Sequence, residues 1–331
     1  MTDTPEISYC LPVFNSAARI ERCLRGVLEQ RAKSREILLV DNASTDDTVA
    51  RARALLDGVP GARIIVNDRN IGRIENWNRC LELATGESIK FALANDRLLP
   101  GGADMLLKAA RANPGAAMIC SQQLDVDGVP ENPQAADETR TPLTLNRKAA
   151  LLRLSERGND TGALGGMLIR GEEVRRHNLR FRTDIPYWSD FYFTIELAAL
   201  GETVYLDTPS YLFDRSVKGR FAVSGTGAQT RSLCFEAREC ALLLAKLLPE
   251  FGVEPWHGFE FLHTMYTGAS WFGILPVLSK PDTQALFAGA GPLAASAERY
   301  RFWKSFGRFE HPLQRVLSKV GLYRYPWQQR P

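Results

Sequence analysis

Short apolar runs alternate with amphipathic stretches along the first 125 residues of the chain. Between the first two runs, apolar residues recur every three or four positions from Ala17 to Leu28, which is the spacing of one buried helix face. Strands that alternate with helices predict an α/β domain with a largely parallel sheet. The runs that predict strands are Ile7–Pro12, Glu36–Asp41, Arg63–Asn67, Ser88–Leu93 and Met118–Leu124.

Polar residues at two predicted helix starts indicate side-chain caps. Asn15 or Ser16 stands where the first helix should begin. Ser44, followed three positions later by Asp47, resembles a capping box for a helix that runs through Leu56.

Beyond residue 125 the pattern is less regular. The segment Asp125–Arg140 is rich in Gly, Pro and acidic residues, which predicts a surface loop. The pattern then predicts a helix over Leu145–Glu156, a strand over Gly166–Arg170, a helix over Asp190–Leu200, strands over Thr203–Leu206 and Tyr211–Phe213, and helices from Ser232 onward. We therefore predict two halves of one domain, residues 1–125 and 126–230, followed by a helical C-terminal extension over 231–331.

Composition narrows the class of protein. With 45% hydrophobic and 24% charged residues, the chain is typical of a globular protein and unlike collagen or a disordered chain. Six scattered cysteines without a CxxC pair argue against a structural zinc site and favour a reducing, cytoplasmic setting. The longest uncharged stretch, Thr264–Ser279, is shorter than a membrane-spanning helix, and the polar, acidic start MTDTPEIS is unlike a signal peptide.

Positive charge is concentrated at the C-terminal end. Residues 298–331 carry eight Lys and Arg against two Glu, and aromatic residues are interleaved with them. Contact with an anionic membrane and simple packing against the core both fit this composition. Nucleic acid is disfavoured as a partner because no binding motif accompanies the charge.

Polar residues follow several of the predicted strands. In a parallel α/β sheet, ligands collect at the carboxyl ends of the strands, so these residues are the candidates for chemistry. They are Pro12 to Asn15, Asp41 to Ser44, Asn67 to Gly72, and Asn95 with Asp96.

Four segments, in order and spacing, resemble the family 2 glycosyltransferases of the GT-A fold. The resemblance covers most of residues 7–107 and continues more weakly over 163–215. It implies a Rossmann-like, mostly parallel sheet flanked by helices. The segments are LPVFNSAARIERCLRGVLEQ, EILLVDNASTDDT, NIGRIENWNRCLELATGE and IKFALANDRLLPGG.

The resemblance also implies a site for a nucleotide-diphosphate sugar. The residues that it assigns to the donor are Pro12, Phe14, Asn15, Asp41, Asn42, Asn78 and Asn95. A carboxylate can accept a hydrogen bond from a base N–H, although an Asp-Asn pair also commonly shapes a turn. Trp77 stands where the family often has an arginine, so Arg73 or Arg79 would have to supply charge to the diphosphate.

The acidic motif departs from the family pattern. The family commonly has two or three carboxylates after this strand, whereas this chain has Leu93, Asn95 and the single carboxylate of Asp96. Mg²⁺ or Mn²⁺ would be held by Asp96, since phosphate oxygens and water can complete the coordination shell. Asn95 would add a neutral oxygen or contact a water ligand. Without the surrounding motifs, Asp96 would be interpreted as an ordinary turn residue.

The general base is expected in the second half of the domain. The segment YWSDFYFTIELAALG places Asp190 where the family has an acid at the start of a helix, and Asp184 is the second candidate. Tyr187 and Trp188 would line the acceptor site. An acid in a first helical turn is also favoured by the helix dipole alone. Gly165 and Gly166 would let the acceptor or the donor approach the backbone closely, or would mark a turn.

These inferences predict an inverting transferase that uses a UDP, dTDP or GDP sugar and a glycan or lipid-linked acceptor. Surface polysaccharide synthesis at the inner face of the cell membrane would be its setting. The missing carboxylates motivate a rival, a degenerate member of the family that binds a nucleotide or glycan without catalysis. A nucleotidyltransferase is disfavoured because no Gly-rich phosphate loop is present near the N-terminus.

Overall fold

The computed structural model describes residues 4–32, 34–127, 141–161, 164–214, 227–267 and 279–305. These residues fall into two units. The first contains the described residues up to 151 together with 159–214, and the second contains 152–158 and the described residues from 227 onward. The boundaries predicted after residues 125 and 230 stay predictions.

Strands and helices alternate through the first part of unit one. They are β1 (Ile7–Val13), α1 (Ile20–Leu28), β2 (Arg35–Asp41), α2 (Thr48–Leu56), β3 (Ala62–Val66), α3 (Arg73–Leu83), β4 (Ser88–Phe91), β5 (Arg97–Leu98), α4 (Gly102–Ala112) and β6 (Ala116–Val126). The elements that follow are β7 (Leu143–Leu145), α5 (Arg147–Arg157), β8 (Met167–Arg170), α6 (Gly171–Arg176), α7 (Ser189–Leu200) and β9 (Glu202–Asp214).

The described strands form one nine-stranded sheet in the order β3-β2-β1-β4-β8-β6-β9-β5, with β7 also paired to β9. From β3 to β4 all neighbours are parallel, whereas β8 is antiparallel to both of its neighbours. The β6–β9 pair is parallel again. Because β1, β2 and β4 run in one direction, their carboxyl ends meet at the same edge of the sheet. This confirms the predicted α/β class with a sheet flanked by helices.

The core explains why the first strands form where they do. Ile7, Leu11 and Ile37 are fully buried on one face of the sheet, in a cluster with Ile20 and Leu24 of α1. Burial of each such side chain contributes about 1.5–3 kcal/mol to folding. The spacing that predicted α1 therefore corresponds to the face that packs on the sheet.

Both predicted helix caps are wrong. Helix α1 begins at Ile20 after Arg19, and α2 begins at Thr48 after Asp47, with no side-chain cap at either residue. The Asn15 side chain instead accepts a hydrogen bond from the Thr45 backbone N–H at 2.9 Å. The Ser16 hydroxyl donates to the Phe14 carbonyl and the Ser44 hydroxyl donates to Asp41, so these polar groups bond within and between the loops that precede the helices.

Three strands differ from the predicted pattern. The two strands predicted over 203–206 and 211–213 are one continuous strand, β9. The two-residue β5 and the three-residue β7 were not predicted, and both pair antiparallel with β9.

The second unit is helical where it is described, as the sequence predicts. Its helices are α8 (Gly227–Leu247), α9 (Glu260–Thr267), α10 (Lys280–Leu286) and α11 (Pro292–Ser305). Ser279 caps α10 by accepting from the Asp282 N–H at 3.2 Å, and Asp282 pairs with Arg231 of α8 at 2.7 Å. Most of the basic, aromatic tail lies beyond residue 305 and outside the described residues.

Candidate active site at the carboxyl ends of the strands

The loops after β1 and β2 are bonded to each other. The Asn15 N–H donates to Ser44 Oγ at 2.9 Å, and the Ser16 N–H donates to Thr48 Oγ1 at 2.7 Å. Asn15 and Ala43 both have a positive φ, 44° and 60°, which L-residues adopt rarely. The two loops therefore hold a fixed, strained shape, beside which the Phe14 ring is 44% exposed.

Asp41 ends β2 and is fully buried. Its Oδ1 accepts from the Ser44 hydroxyl at 2.5 Å, and its Oδ2 accepts from the Ser44 N–H at 2.9 Å. These contacts are the ones expected if Asp41 shapes the turn after β2. The direct contact of Asp41 with a nucleotide stays a prediction, as do those of Pro12, Phe14 and Asn15.

An asparagine network joins the end of β2 to the loop before α3. Asn42 Oδ1 accepts from the Ile71 N–H at 2.9 Å and from Asn67 Nδ2 at 3.2 Å, while its Nδ2 donates to Asn70 Oδ1 at 2.8 Å. Asn76 accepts from Asn67 and donates to the Val40 carbonyl. The sequence analysis included Asn70 among the strand-end candidates but did not select Asn76; the recurrence of Asn after β2 and β3 is the signal that could have found it.

Asn78 and Arg73 connect α3 to the segment before α7. The buried Asn78 side chain bonds to the backbone of Phe181 at 2.8 and 2.9 Å. The Arg73 guanidinium lies 4.9 Å from the centre of the Trp77 ring and donates to the Pro186 carbonyl. Trp77 packs edge-on against Phe181. Position 77 thus holds a tryptophan where the family often has an arginine, and the Arg73 guanidinium lies over the face of that tryptophan.

Asp96 lies just beyond β4 and is 4% exposed. It lines a small cavity with Leu93 and Gly165, and a Cβ added to Gly165 would come within 3.3 Å of Asp96 Oδ2. The neighbouring Asn95 carbonyl accepts from Arg22 Nη2 at 3.3 Å. Glycine at 165 therefore leaves room beside the carboxylate.

Lys90 is the functional candidate that sequence reasoning missed at this edge. It is fully buried in β4, and its ammonium group donates to the Gly165 carbonyl. Burial lowers the pKa of Lys90 to about 7, against the opposing charge of Asp96. A lysine inside an apolar strand was the available signal.

The described residues could hold a divalent cation only if the donor diphosphate supplied further ligands to it. Among the described residues, no group of three or more His, Cys, Asp or Glu side chains could hold a metal. Asp96 supplies one hard oxygen donor beside the space that Gly165 leaves. Mg²⁺ and Mn²⁺ accept such a site when phosphate oxygens and water provide the other ligands.

Asp190 stands in the first turn of α7, and its Oδ1 accepts from the Phe191 N–H at 2.8 Å. Burial raises the pKa of the Asp190 carboxyl, and the charge of Arg73 acts in the opposite direction. Tyr187 is 50% exposed just ahead of it. A half-buried carboxylate in the first turn of a helix is suited to accept a proton from a hydroxyl group.

Asp184, the second candidate base, is engaged by a neighbour. Its two oxygens pair with Arg182 Nε at 3.1 Å and Nη2 at 2.5 Å, and this ion pair lowers the pKa of Asp184. Glu196 was missed by the sequence analysis. It lies further along α7, and burial raises its pKa to about 7.

Comparison with known proteins identifies the family. The profile of Glycosyl transferase family 2 matches residues 8–173, which is half of the chain and includes every donor-side residue discussed above. The chain belongs to glycosyl transferase family 2. Its membership confirms the resemblance of the four strand-end segments.

Two mycobacterial relatives match this family 2 chain over about 100 residues each. The protein MT1568 of Mycobacterium tuberculosis is 46% identical over 102 residues, which cover 31% of each chain. A PGL/p-HBAD biosynthesis glycosyltransferase of Mycobacterium bovis is 34% identical over 106 residues, 32% of this chain and 41% of that protein. The match thus spans about a third of the length of MT1568 and less than half of the second relative.

Two solved structures share the fold at low identity. Staphylococcus aureus TarS 1–349, in complex with UDP-GlcNAc, aligns with a TM-score of 0.58 and 16% identity over 89% of this chain and 88% of that chain. The mannosyltransferase PcManGT of Pyrobaculum calidifontis, in complex with GDP-Man and Mn²⁺, aligns with a TM-score of 0.53 and 18% identity over 99% and 84%. Separately, none of the helices in the described part of the chain is long and apolar enough to cross a bilayer.

Proposed function

We propose that this family 2 chain is an inverting glycosyltransferase that moves a sugar from a nucleotide-diphosphate donor to a hydroxyl group of an acceptor. The observation that carries the proposal is the placement of Asp190. It lies in the first turn of α7, directly after a segment that Asn78 and Arg73 attach to α3 through Phe181 and Pro186. Helix α3 follows directly on the loop that Asn42 holds at the end of β2. One helix thus links the strand-end loops to the candidate base.

The donor would be a UDP, dTDP or GDP sugar. The interlocked loops of Asn15 and Ser44 and the network of Asn42 form a rigid edge that exposes Phe14 and backbone groups. An exposed ring at a strand end can pack against a base or ribose. The UDP-GlcNAc bound to TarS and the GDP-Man bound to PcManGT support a donor of this class.

Asp96 is proposed to bind a divalent cation together with the donor diphosphate. The cation would stabilise charge on the leaving diphosphate when it is bound. Mn²⁺ in the PcManGT complex supports a cation of this kind. With one carboxylate and the ammonium group of Lys90 nearby, affinity for the cation alone should be weak.

Asp190 is proposed as the general base. Its carboxylate takes the proton of the acceptor hydroxyl as that oxygen attacks the anomeric carbon. The bond from the anomeric carbon to the diphosphate breaks on the opposite face, so the configuration inverts. The charge of Arg73 favours the ionised form that this step needs.

The acceptor is proposed to be a glycan or a lipid-linked intermediate of surface polysaccharide or glycolipid synthesis. The M. bovis relative, named for PGL/p-HBAD biosynthesis, supports this class. The six cysteines are free and buried, which supports a reducing, cytoplasmic setting. The basic, aromatic tail supports contact with the inner face of the membrane.

One observation favours a second candidate, a non-catalytic family member that binds a nucleotide or glycan. Leu93 and Asn95 occupy positions where the family commonly has carboxylates. Such a protein would bind a nucleotide without releasing it from a sugar. Turnover separates the two candidates.

The test is to incubate the full chain with UDP-GlcNAc, GDP-mannose or a dTDP-sugar, each with Mn²⁺, and a lipid and glycan extract. We expect release of one nucleoside diphosphate and a glycosylated product whose anomeric configuration, measured by NMR, is opposite to that of the donor. Retention of configuration would refute the mechanism. Binding without any turnover would favour the non-catalytic candidate.

A further inference from the structure

The backbone of Arg73 lies on the donor side of the site, at the start of α3. Its side chain contacts the segment before Asp190, the candidate base. It is the first residue of α3, directly after Gly72, whose N–H donates to Asn70 in the strand-end network. Its guanidinium donates to the Pro186 carbonyl and lies over the Trp77 ring at 4.9 Å. An arginine held by a carbonyl on one side and an aromatic face on another has a defined position even though the residue is exposed.

The charges around Asp190 make this position important. Arg73 is the charged side chain in the described part of the protein whose field acts on the Asp190 carboxyl. Arg182 lies on the same segment, but it pairs with Asp184 through two hydrogen bonds. Glu196, further along α7, is influenced by Arg182.

At Asp190, burial is therefore opposed first by the hydrogen bond from the Phe191 N–H and then by the charge of Arg73. Burial favours the protonated acid, which cannot accept a proton, whereas a nearby fixed cation favours the carboxylate. No ion pair within 4.0 Å joins Arg73 to Asp190 among the described contacts, so the effect acts through space.

We propose that Arg73 is a positioning residue of the transfer reaction, which anchors the Pro186 segment to α3 and places a fixed positive charge near Asp190. The inference rests on the proposed function of Asp190 as the base. It also explains how a tryptophan at position 77 is compatible with activity, because Trp77 serves as the platform for that charge.

The test uses Arg73→Gln, which removes the charge, and Arg73→Lys, which keeps it. Arg53→Gln, at an exposed arginine of α2, is the matched control. The first measurement is the titration of the Asp190 carboxyl carbon by ¹³C NMR in the full chain, with the signal assigned from Asp190→Asn. We expect the midpoint to move to higher pH in Arg73→Gln and to stay near the wild-type value in Arg73→Lys and Arg53→Gln.

The second measurement is the pH dependence of kcat/KM for release of the nucleoside diphosphate from UDP-GlcNAc or GDP-mannose. In Arg73→Gln we expect kcat/KM to fall roughly tenfold at pH 6 but less than about threefold at pH 9, because the base then needs a higher pH to ionise. A purely structural role would lower the rate equally at all pH values.

The two measurements separate the possible failures. An unchanged Asp190 midpoint in Arg73→Gln, with the melting temperature near that of the wild type, overturns the inference. If the midpoint moves but the wild type turns over no donor, the proposed function fails while the electrostatic link between Arg73 and Asp190 stands. If kcat/KM falls equally at all pH values in Arg73→Gln and in Arg73→Lys, the charge of Arg73 is not the cause of the loss.

Discussion

The side chain of Asn78 and the backbone of Phe181 form two reciprocal hydrogen bonds across 103 residues of chain. Asn78 Nδ2 donates to the Phe181 carbonyl at 2.9 Å, and the Phe181 N–H donates to Asn78 Oδ1 at 2.8 Å. Asn78 is only 6% exposed. An asparagine matched to the family's donor site thus also fixes the segment that leads to Asp190.

Replacing Asn78 by alanine should destabilise the protein by about 2–3 kcal/mol. The change leaves a buried N–H and a buried carbonyl of Phe181 without these partners, and each such loss costs about 1–3 kcal/mol. Calorimetry should show a melting temperature lower by roughly 5–10 °C. Asn113→Ala is the control, since the Asn113 side chain donates to Ala109 at its own helix end at 2.9 Å and accepts a longer bond of 3.3 Å from the exposed Thr144. If the melting temperature falls no further in Asn78→Ala than in Asn113→Ala, the hydrogen bonds between Asn78 and Phe181 do not anchor the segment before α7.

Replacing Asp190 by asparagine should lower kcat by about 10²–10⁴-fold, because an amide cannot take the acceptor proton. Binding of the donor and the melting temperature should stay close to the wild type. Asp184→Asn is the comparison, since Asp184 is exposed and already paired with Arg182. Steady-state kinetics with the donor that turns over would measure both. A larger loss in Asp184→Asn would transfer the role of base to Asp184.

Replacing Asp96 by asparagine should remove the metal-dependent part of nucleotide binding. The carboxylate is the one acidic ligand in the Asn95-Asp96 motif, and a neutral amide holds Mg²⁺ or Mn²⁺ much less well. Calorimetric titration with UDP, GDP and dTDP, with and without each metal, should show an affinity gain from metal in the wild type that is at least about tenfold smaller in the variant. Equal gains in both proteins would place the cation elsewhere.

The sequence predicts the first half of the fold well because β1, β2 and β4 are buried on both faces of the sheet. Each predicted run from β1 to β4 overlaps the observed strand, with ends that differ by at most two residues. The errors arise where side chains serve tertiary contacts. Asn15 resembles a helix cap but bonds to Thr45 of the next loop.

Strand β9 shows a different limit. The run Asp207-Thr208-Pro209-Ser210 resembles a turn, yet the strand continues through it to Asp214. The pairing with β6 shifts register there, around Gln122 and Pro209. A proline lacks the N–H of a regular ladder and is tolerated where the pairing is irregular. Local composition cannot reveal that β6 is the partner.

The candidate site divides in the same way. Asp96 and Asp190 could be selected from motif spacing, since each occupies a position that the family assigns to an acid. The bonds of Asn78 to Phe181 and of Arg73 to Pro186 each join residues more than 100 positions apart. Nothing local in the sequence specifies such pairs. Lys90 and Glu196 were missed because buried charges are rare within apolar strands and helices.

Glu196 should make stability depend on pH. Burial raises its pKa from 4.5 to about 7, so between these values the folded chain holds a proton that the unfolded chain has released. The free energy of unfolding therefore falls as pH rises from about 4.5 through 7. Glu196→Gln removes this pH-dependent contribution. The melting temperature of the variant minus that of the wild type should therefore be larger at pH 8 than at pH 5 by a few °C, about the scale expected for a chain of this size. Glu172→Gln, at an exposed glutamate of α6, should show no such change. A difference between Glu196→Gln and wild type that is the same at both pH values would mean that Glu196 is ionised throughout.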